Sequence, residues 1–265
     1  MFEALFAATL ALCAVLYVFG VRTLWTRAGA GRVLTPARAA AFGAGIATLL
    51  VALAGPLDDR AATSLTAHMV QHLLLIAVAP PLLAAGGFGV AVLAVLGARR
   101  RSVVRVTRRV APGSSTRAWL LWLVGATVAV SVVVAVWHIP AAYDAAVRHP
   151  PLHALEHASF LVAGLVFWWA ALGAGRRSRR GWGFVAVFVA TFSATALGVL
   201  MMLASTPWYA PYAGGPARAA LEDQQVAGAV MWGFGGLAAV VAAVALFASW
   251  LYALEHTSRL RPEPT

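Results

Sequence analysis

The sequence predicts an all-α, polytopic membrane protein with seven transmembrane helices, N-terminus outside and C-terminus inside. Three observations carry that prediction. The 265 residues are 62% hydrophobic and 11% charged, whereas an ordinary soluble domain is about one-quarter charged. Seven apolar runs follow one another, each near the roughly 20 residues that a helix needs to cross the hydrocarbon core. Seventeen of the twenty basic residues fall in alternate connections, and every one of them is arginine.

The runs are taken in chain order. The first, 3–21, has Glu3 ahead of it and arginines behind it, with no basic n-region and no small-residue cleavage site; it reads as a retained helix and not as a signal peptide. Its one cysteine, Cys13, reads as a packing residue, since a lone thiol forms neither an intrachain disulfide nor a thiolate cluster. The second run is 37–55 and the third 64–85. Beyond it, "APPLLAAGGFGVAVLAVLGA" (79–98) contains Pro80, Pro81 and clustered glycines. It predicts a kink or a break, with 88–98 as a re-entrant or interfacial piece. The remaining runs are 118–137, 152–173, 182–203 and 225–252. No alternating barrel strands occur, and backbone satisfaction in lipid then leaves helices as the spanning structure. No stretch between the runs is long enough to build a soluble core, so residues 1–265 read as one transmembrane unit. Trp25, Trp168, Trp169, Trp208, Tyr209 and Trp250 fit aromatic belts at the two interfaces.

Orientation follows from the arginines. Arg22, Arg27, Arg32 and Arg38 follow the first run, "ARRRSVVRVTRR" and Arg117 follow the third, "GRRSRR" follows the fifth, and Arg259 and Arg261 lie in the tail. Only Arg60, Arg148 and Arg218 remain for the other side. The net charge of +11 is thus a topology signal directed at anionic lipid heads, and a nucleic-acid partner is excluded.

Six of the seven histidines then fall on or near the outer face; His256 alone falls on the inner one. His68 and His72 in "HMVQHLLL" are spaced i, i+4 and share a helix face. They lie roughly 6 and 12 Å below the helix start at Ser64, at 1.5 Å per residue. "PLHALEHASF" repeats the spacing with His153 and His157, on a run of the same direction. His138 sits at the outer mouth of the fourth run, and Met201 and Met202 approach the outer end of the sixth. His149, beside Pro150, reads as solvent-facing. Candidate ligands from four helices therefore reach one level. Neutral imidazole suits copper, zinc, iron and nickel, and thioether selects Cu(I). Two i, i+4 clamps fit one four-histidine site or smaller sites that pass an ion along. Gln71, Tyr143, Asp144 and Glu156 are available to orient the imidazoles. Asp223 and Gln224 either cap the last helix or support the site. The glycines of "AGGFG" and "WGFGG" read as helix-packing positions, and no nucleophile triad or phosphate loop occurs.

These blocks resemble the CtaG family of cytochrome c oxidase assembly proteins, the caa3-type assembly factors. The likeness is carried by "HMVQHLLLIAVAPPLLAAG", "WHIPAAYDAAVRHPPLHALEHASFLVAGLVFWW", "MM" with "PWYAPY", and "EDQQVAGAVMW", in that order, over roughly residues 40–255. The resemblance implies a multi-pass bacterial cytoplasmic-membrane protein that helps to assemble haem-copper oxidases, with a role in copper supply. It carries His68, Met69, Gln71, His72, Trp137, His138, Pro140, Tyr143 and Asp144 into the family's blocks. His153, Glu156, His157, Met201, Met202, Asp223, Gln224 and Gln225 follow. The glycine run after Pro81 departs from the family pattern, in which a Gly-x-Pro step is expected.

The expectation is a copper-binding assembly factor and not an enzyme. Its copper, as Cu(I), would sit in a shallow site on the outer face, and its partners would be oxidase subunits or a copper chaperone. A bis-histidine haem protein and a copper transporter or resistance protein are the alternatives. The i, i+4 pairs suit a compact ion better than a macrocycle. The apolar inner halves of the runs argue against a transport path.

Overall fold

The computed structural model describes residues 2–96, 115–172 and 177–258. The arginine-rich segment 97–114, residues 173–176 and the tail beyond Ser258 lie outside the described residues, as do the side chains of 2–5, 177–180, 238, 239, 242, 246, 249, 250 and 253–258, which include the expected belt residue Trp250 and His256. Among the described residues all regular structure is helical. The helices are α1 (Phe2–Ala28), α2 (Pro36–Leu53), α3 (Pro56–Ala61) and α4 (Leu65–Leu73). A π-helical turn, Leu74–Val78, leads into α5 (Ala79–Gly86), and α6 (Phe88–Val95) follows. Then come α7 (Thr116–Trp137), α8 (Pro140–Arg148), α9 (Pro150–Leu172), α10 (Arg177–Leu203) and α11 (Ala217–Ser258).

Among the described residues, six helical stretches are long and apolar enough to cross a membrane: Phe6–Ala28, Pro36–Leu53, Leu65–Gly86, Thr116–Trp137, Pro150–Leu172 and Gly181–Leu203. The chain is a multi-pass membrane protein. The run expected as the seventh span, 225–252, is not among those six. It forms part of the 42-residue α11. At 1.5 Å per residue that helix is about 63 Å long, twice the roughly 30 Å of a hydrocarbon core. Its first two turns carry an exposed ion pair, Arg218 to Glu222 at 2.8 Å.

The third span is bent, and the cause is a chain of backbone arithmetic. Pro80 and Pro81 have no N–H, so the carbonyls of Ile76 and Ala77 lose their usual donors four residues on. The helix widens into the π turn, where the Ala79 N–H donates to the Leu74 carbonyl, one residue farther than in an α-helix. Trp168 on α9 supplies a donor, its Nε1 to the Ile76 carbonyl at 3.0 Å. Gly164 makes room: a Cβ there would lie 2.9 Å from Pro80 Cγ. Trp168 is therefore a buried partner of the kink, not a belt residue as expected. It lies in a core cluster with Trp119, Leu123, Phe167 and Val187.

The stretch after Pro81 does not loop freely. Gly87 takes a left-handed φ of +73°, ends α5 and starts α6; only glycine adopts that conformation without strain. Gly86 packs against Phe42, where a Cβ would come within 2.7 Å of the Phe42 Cβ. The last carbonyls of α5 are taken by side chains, Tyr17 Oη donating to Gly86 at 2.7 Å and Arg38 Nε to Ala85 at 3.0 Å. Tyr17, Phe42 and Phe88 stack with centroids 3.8 and 5.6 Å apart. In α6, Ala91 seats its backbone against Gly20. The glycine run after Pro81 is thus a packed helix end.

At the opposite end of the bundle lie the starts of α4, α9 and α11, the end of α7, and α8. Gly198 on α10 and Gly228 on α11 let those two helices touch backbone to backbone; a Cβ on Gly198 would lie 2.8 Å from the Gly228 carbonyl oxygen. That close crossing fixes where α11 begins relative to the histidine-bearing helices.

Candidate metal centre

α4 is held at its first turn by two side chains. Ser64 accepts from the Ala67 N–H at 3.3 Å. Asp223, from α11, accepts from the Leu65 N–H at 2.7 Å, the Thr66 N–H at 3.2 Å and the Thr66 hydroxyl at 2.6 Å. A carboxylate at a helix N-terminus satisfies free N–H groups and complements the helix dipole. Asp223 lies two turns inside α11, so it does not cap its own helix; it caps the helix that carries His68 and His72. α9 starts on Pro150 and Pro151, whose fixed φ suits a first helical turn, and places His153, Glu156 and His157 on its first two turns.

Four side chains then converge. One donor atom from each of His68, His153, Glu156 and His157 lies within 4.8 Å of the other three. The Nε2 atoms of His68 and His153 are 3.3 Å apart. Tetrahedral nitrogen ligands about 2.0–2.1 Å from an ion stand about 3.3–3.4 Å from one another. The His68–His153 pair already has that spacing. His68, Glu156 and the His157 Nε2 atom are buried, and His153 is half-buried, which leaves His153 as the member reachable from its own end of the bundle.

Counting protons assigns the tautomers. Tyr212 Oη has one proton and donates it to the Ala61 carbonyl at 2.9 Å. With the His68 Nδ1–H donating to the phenol oxygen at 2.6 Å, both contacts of Tyr212 are satisfied at once. His68 Nε2 is left bare and faces the cluster. His138 follows the same rule. Its Nδ1 lies 2.7 Å from the Val134 carbonyl, which only accepts, so its Nε2 is bare, buried and without a partner. Burial holds the His138 imidazolium below the usual histidine range, to about 4, against the opposing pull of the Val134 carbonyl. His138 is thus neutral and ready to ligate at physiological pH.

His72 lies deeper than the convergent set. Its ring is 4.4 Å from His68, 5.5 Å from His157, 6.0 Å from His138 and 4.5 Å from Phe160. Neither of its nitrogens has a hydrogen-bond partner, and Nε2 is 3.6 Å from a Glu156 carboxylate oxygen. Glu156 is fully buried, and neither of its oxygens accepts a hydrogen bond. A carboxylate so placed costs several kcal/mol unless it is neutralised or meets a cation (order of magnitude). The donor set therefore fits a metal ion, and Glu156 fits as a ligand instead of an orienting residue.

The other expected residues make contacts of their own. Gln71 donates to the Ala52 carbonyl at 2.7 Å and to Asp58 at 2.6 Å, which ties α4 to the end of α2 and to α3 and not to an imidazole. Asp144 pairs with Arg148 at 3.2 Å. Tyr143 is buried with its ring 5.2 Å from His68 and 4.2 Å from Tyr209; burial pushes its phenol well above the usual tyrosine range. Met201 packs in an apolar cluster with Leu65, Met69, Tyr143 and Tyr209, and Met202 is half-buried. Gln224 accepts from the Trp208 N–H at 2.6 Å, and Gln225 donates to the Ala204 carbonyl at 3.2 Å. Together they hold the 204–212 connection over the histidines. His149 is exposed, as expected.

Sequence reasoning missed Tyr212 as the partner of His68. It assigned Tyr209 to a belt, whereas Tyr209 is buried and donates to the His138 carbonyl at 3.1 Å. Both tyrosines stand in "PWYAPY", and that Pro-bracketed aromatic pair beside the histidine runs was the available signal.

The family model described as cytochrome c oxidase caa3 assembly factor (Caa3_CtaG) matches residues 15–253. Comparisons with curated proteins and with solved structures give no match. The match covers nearly the whole chain, with the convergent histidines inside it, and the chain belongs to the family of cytochrome c oxidase caa3 assembly factors.

Proposed function

We propose that the protein binds copper as cargo and delivers it to a haem-copper cytochrome c oxidase during assembly, in the bacterial cytoplasmic membrane. The ion is Cu(I), held by His68, His153 and His157 with Glu156 balancing its charge. The recipient is an oxidase subunit or a copper chaperone that docks at the outer face. The observation that carries the reading is the convergence of four donor atoms within 4.8 Å around a buried carboxylate without hydrogen bonds. Imidazole nitrogens suit copper, and family membership supplies the oxidase. Half-buried His153 gives a route for exchange, which a delivery site needs and a closed structural site does not. Met201 packs beside Tyr143 on the same end of the bundle and would favour the reduced ion on its way in or out.

The chain crosses the membrane seven times in this reading, with α11 as the seventh span and the histidines on the outer side. The arginine distribution supports that orientation. A haem is disfavoured because a haem iron needs facing imidazoles with a macrocycle between them. Here the nearest nitrogens of the two helices approach to 3.3 Å.

The test is complementation. Cells that carry the His153→Ala/His157→Ala double variant should assemble oxidase deficient in copper and lose most oxidase activity, and added copper should restore part of it. Normal oxidase copper and activity, with the variant present at wild-type level, would contradict the delivery role.

A further inference from the structure

The geometry points to a second copper position, deeper in the bundle, formed by His72 and His138 with Glu156 shared between the two positions. The inference rests on the copper reading above and adds an ion to it. Three observations carry it. First, His72 and His138 are 5% and 4% exposed, and His138 Nε2 and both nitrogens of His72 have no hydrogen-bond partner. Buried polar atoms are nearly always paired, and unpaired ones call for an explanation. Second, the two rings face each other across 6.0 Å, nearly edge to face at 76°. Two imidazole nitrogens brought to opposite sides of one ion form an ordinary Cu(I) coordination. Third, Glu156 has two oxygens and both lack hydrogen bonds. One oxygen stands 3.6 Å from His72 Nε2, and the same carboxylate belongs to the outer group of four. A bridging carboxylate gives each ion one oxygen.

The convergent group alone leaves His72 and His138 unexplained. They come from different helices, α4 and the end of α7, and the Phe160 ring packs beside both, with centroids 4.5 and 6.3 Å away. His138 is further fixed by its own backbone. It ends α7 with its ring N–H on Val134, and its carbonyl accepts from Tyr209. That is the rigid, oriented imidazole that a ligand position needs. The deep position has no exposed ligand, so an ion reaches it through the outer one. The pair works as a short relay in which His68 and Glu156 border both positions.

The experiment is an anaerobic Cu(I) titration of the purified full chain in detergent against a competing chelator. Wild type is expected to bind two equivalents. His138→Gln, whose amide N–H can keep the Val134 contact, should bind one and hold it within about threefold of the tighter wild-type affinity. His138→Leu serves as a second variant, and a thermal melt near wild type admits either to the comparison. His153→Ala/His157→Ala should keep at most one. One equivalent in wild type that is lost in His153→Ala/His157→Ala would overturn the second position and leave the copper reading standing. Two equivalents in both folded His138 variants would also overturn it. No copper in wild type would remove both readings.

Discussion

At the scale of single residues, function turns on which nitrogen of each imidazole is bare. Tyr212 decides this for His68, because its own proton is committed to Ala61. Tyr212→Phe keeps the ring and removes the acceptor. The predicted result is a loss of about 10–100-fold in Cu(I) affinity, typical of removing an orienting partner. Stability should change by about 1 kcal/mol, the worth of one hydrogen bond. A competition titration and a thermal melt read the two effects, and unchanged affinity would remove Tyr212 from the account. Asp223 acts on the fold instead. Asp223→Ala deprives the first turn of α4 of its cap and should cost about 1–2 kcal/mol by thermal unfolding, with Asp223→Asn milder; no loss would show the cap to be redundant. At this scale the sequence was partly legible. The i, i+4 spacing of His68/His72 and His153/His157 announces shared helix faces. Nothing in the spacing says that α11 reaches across 157 residues to cap α4, or that Gln71 turns to Ala52 and not to a histidine. Those contacts depend on how the helices pack.

At the scale of elements, the kink in the third span is a device of two helices. Prolines in the span free a carbonyl, and a tryptophan and a glycine on α9 satisfy and accommodate it. Trp168→Phe should leave the Ile76 carbonyl without that donor in a buried place, at a cost of about 1–3 kcal/mol, read by unfolding in detergent. An unchanged midpoint would mean the carbonyl finds another donor. Gly198→Leu should be worse. Its side chain meets backbone, not a movable side-chain end, so α10 and α11 must separate and the 204–212 connection shifts with them. Copper affinity and melting temperature are both expected to fall, and an unperturbed Gly198→Leu protein would contradict the close crossing. The sequence located the prolines and glycines, and so the kink. It gave Trp168 and Tyr209 to interface belts because a lone aromatic near the end of an apolar run looks the same whether it faces lipid or a neighbouring helix.

At the scale of the whole molecule, the second to sixth spans were legible to within two residues at each end, since lipid demands long apolar runs with internally paired backbones, while the first helix continues to Ala28, past its expected end at 21, and the last is longer at both ends than the expected 225–252. The six stretches long enough to span fall where the hydropathy places them. Orientation rests on arginines, many of them in segments outside the described residues. Reporter fusions at residues 110 and 180 should report the cytoplasm, and one at residue 214 the opposite side; the reverse pattern would place the histidines on the wrong face for delivery. The central claim is that imidazoles from α4 and α9 hold copper together. X-ray absorption at the copper edge of the copper-loaded protein tests it most directly. The account predicts a nitrogen-rich shell with the multiple scattering of at least two imidazoles, which His153→Ala/His157→Ala diminishes. A sulfur-dominated shell without imidazole, or a spectrum that the double variant leaves unchanged, would contradict it.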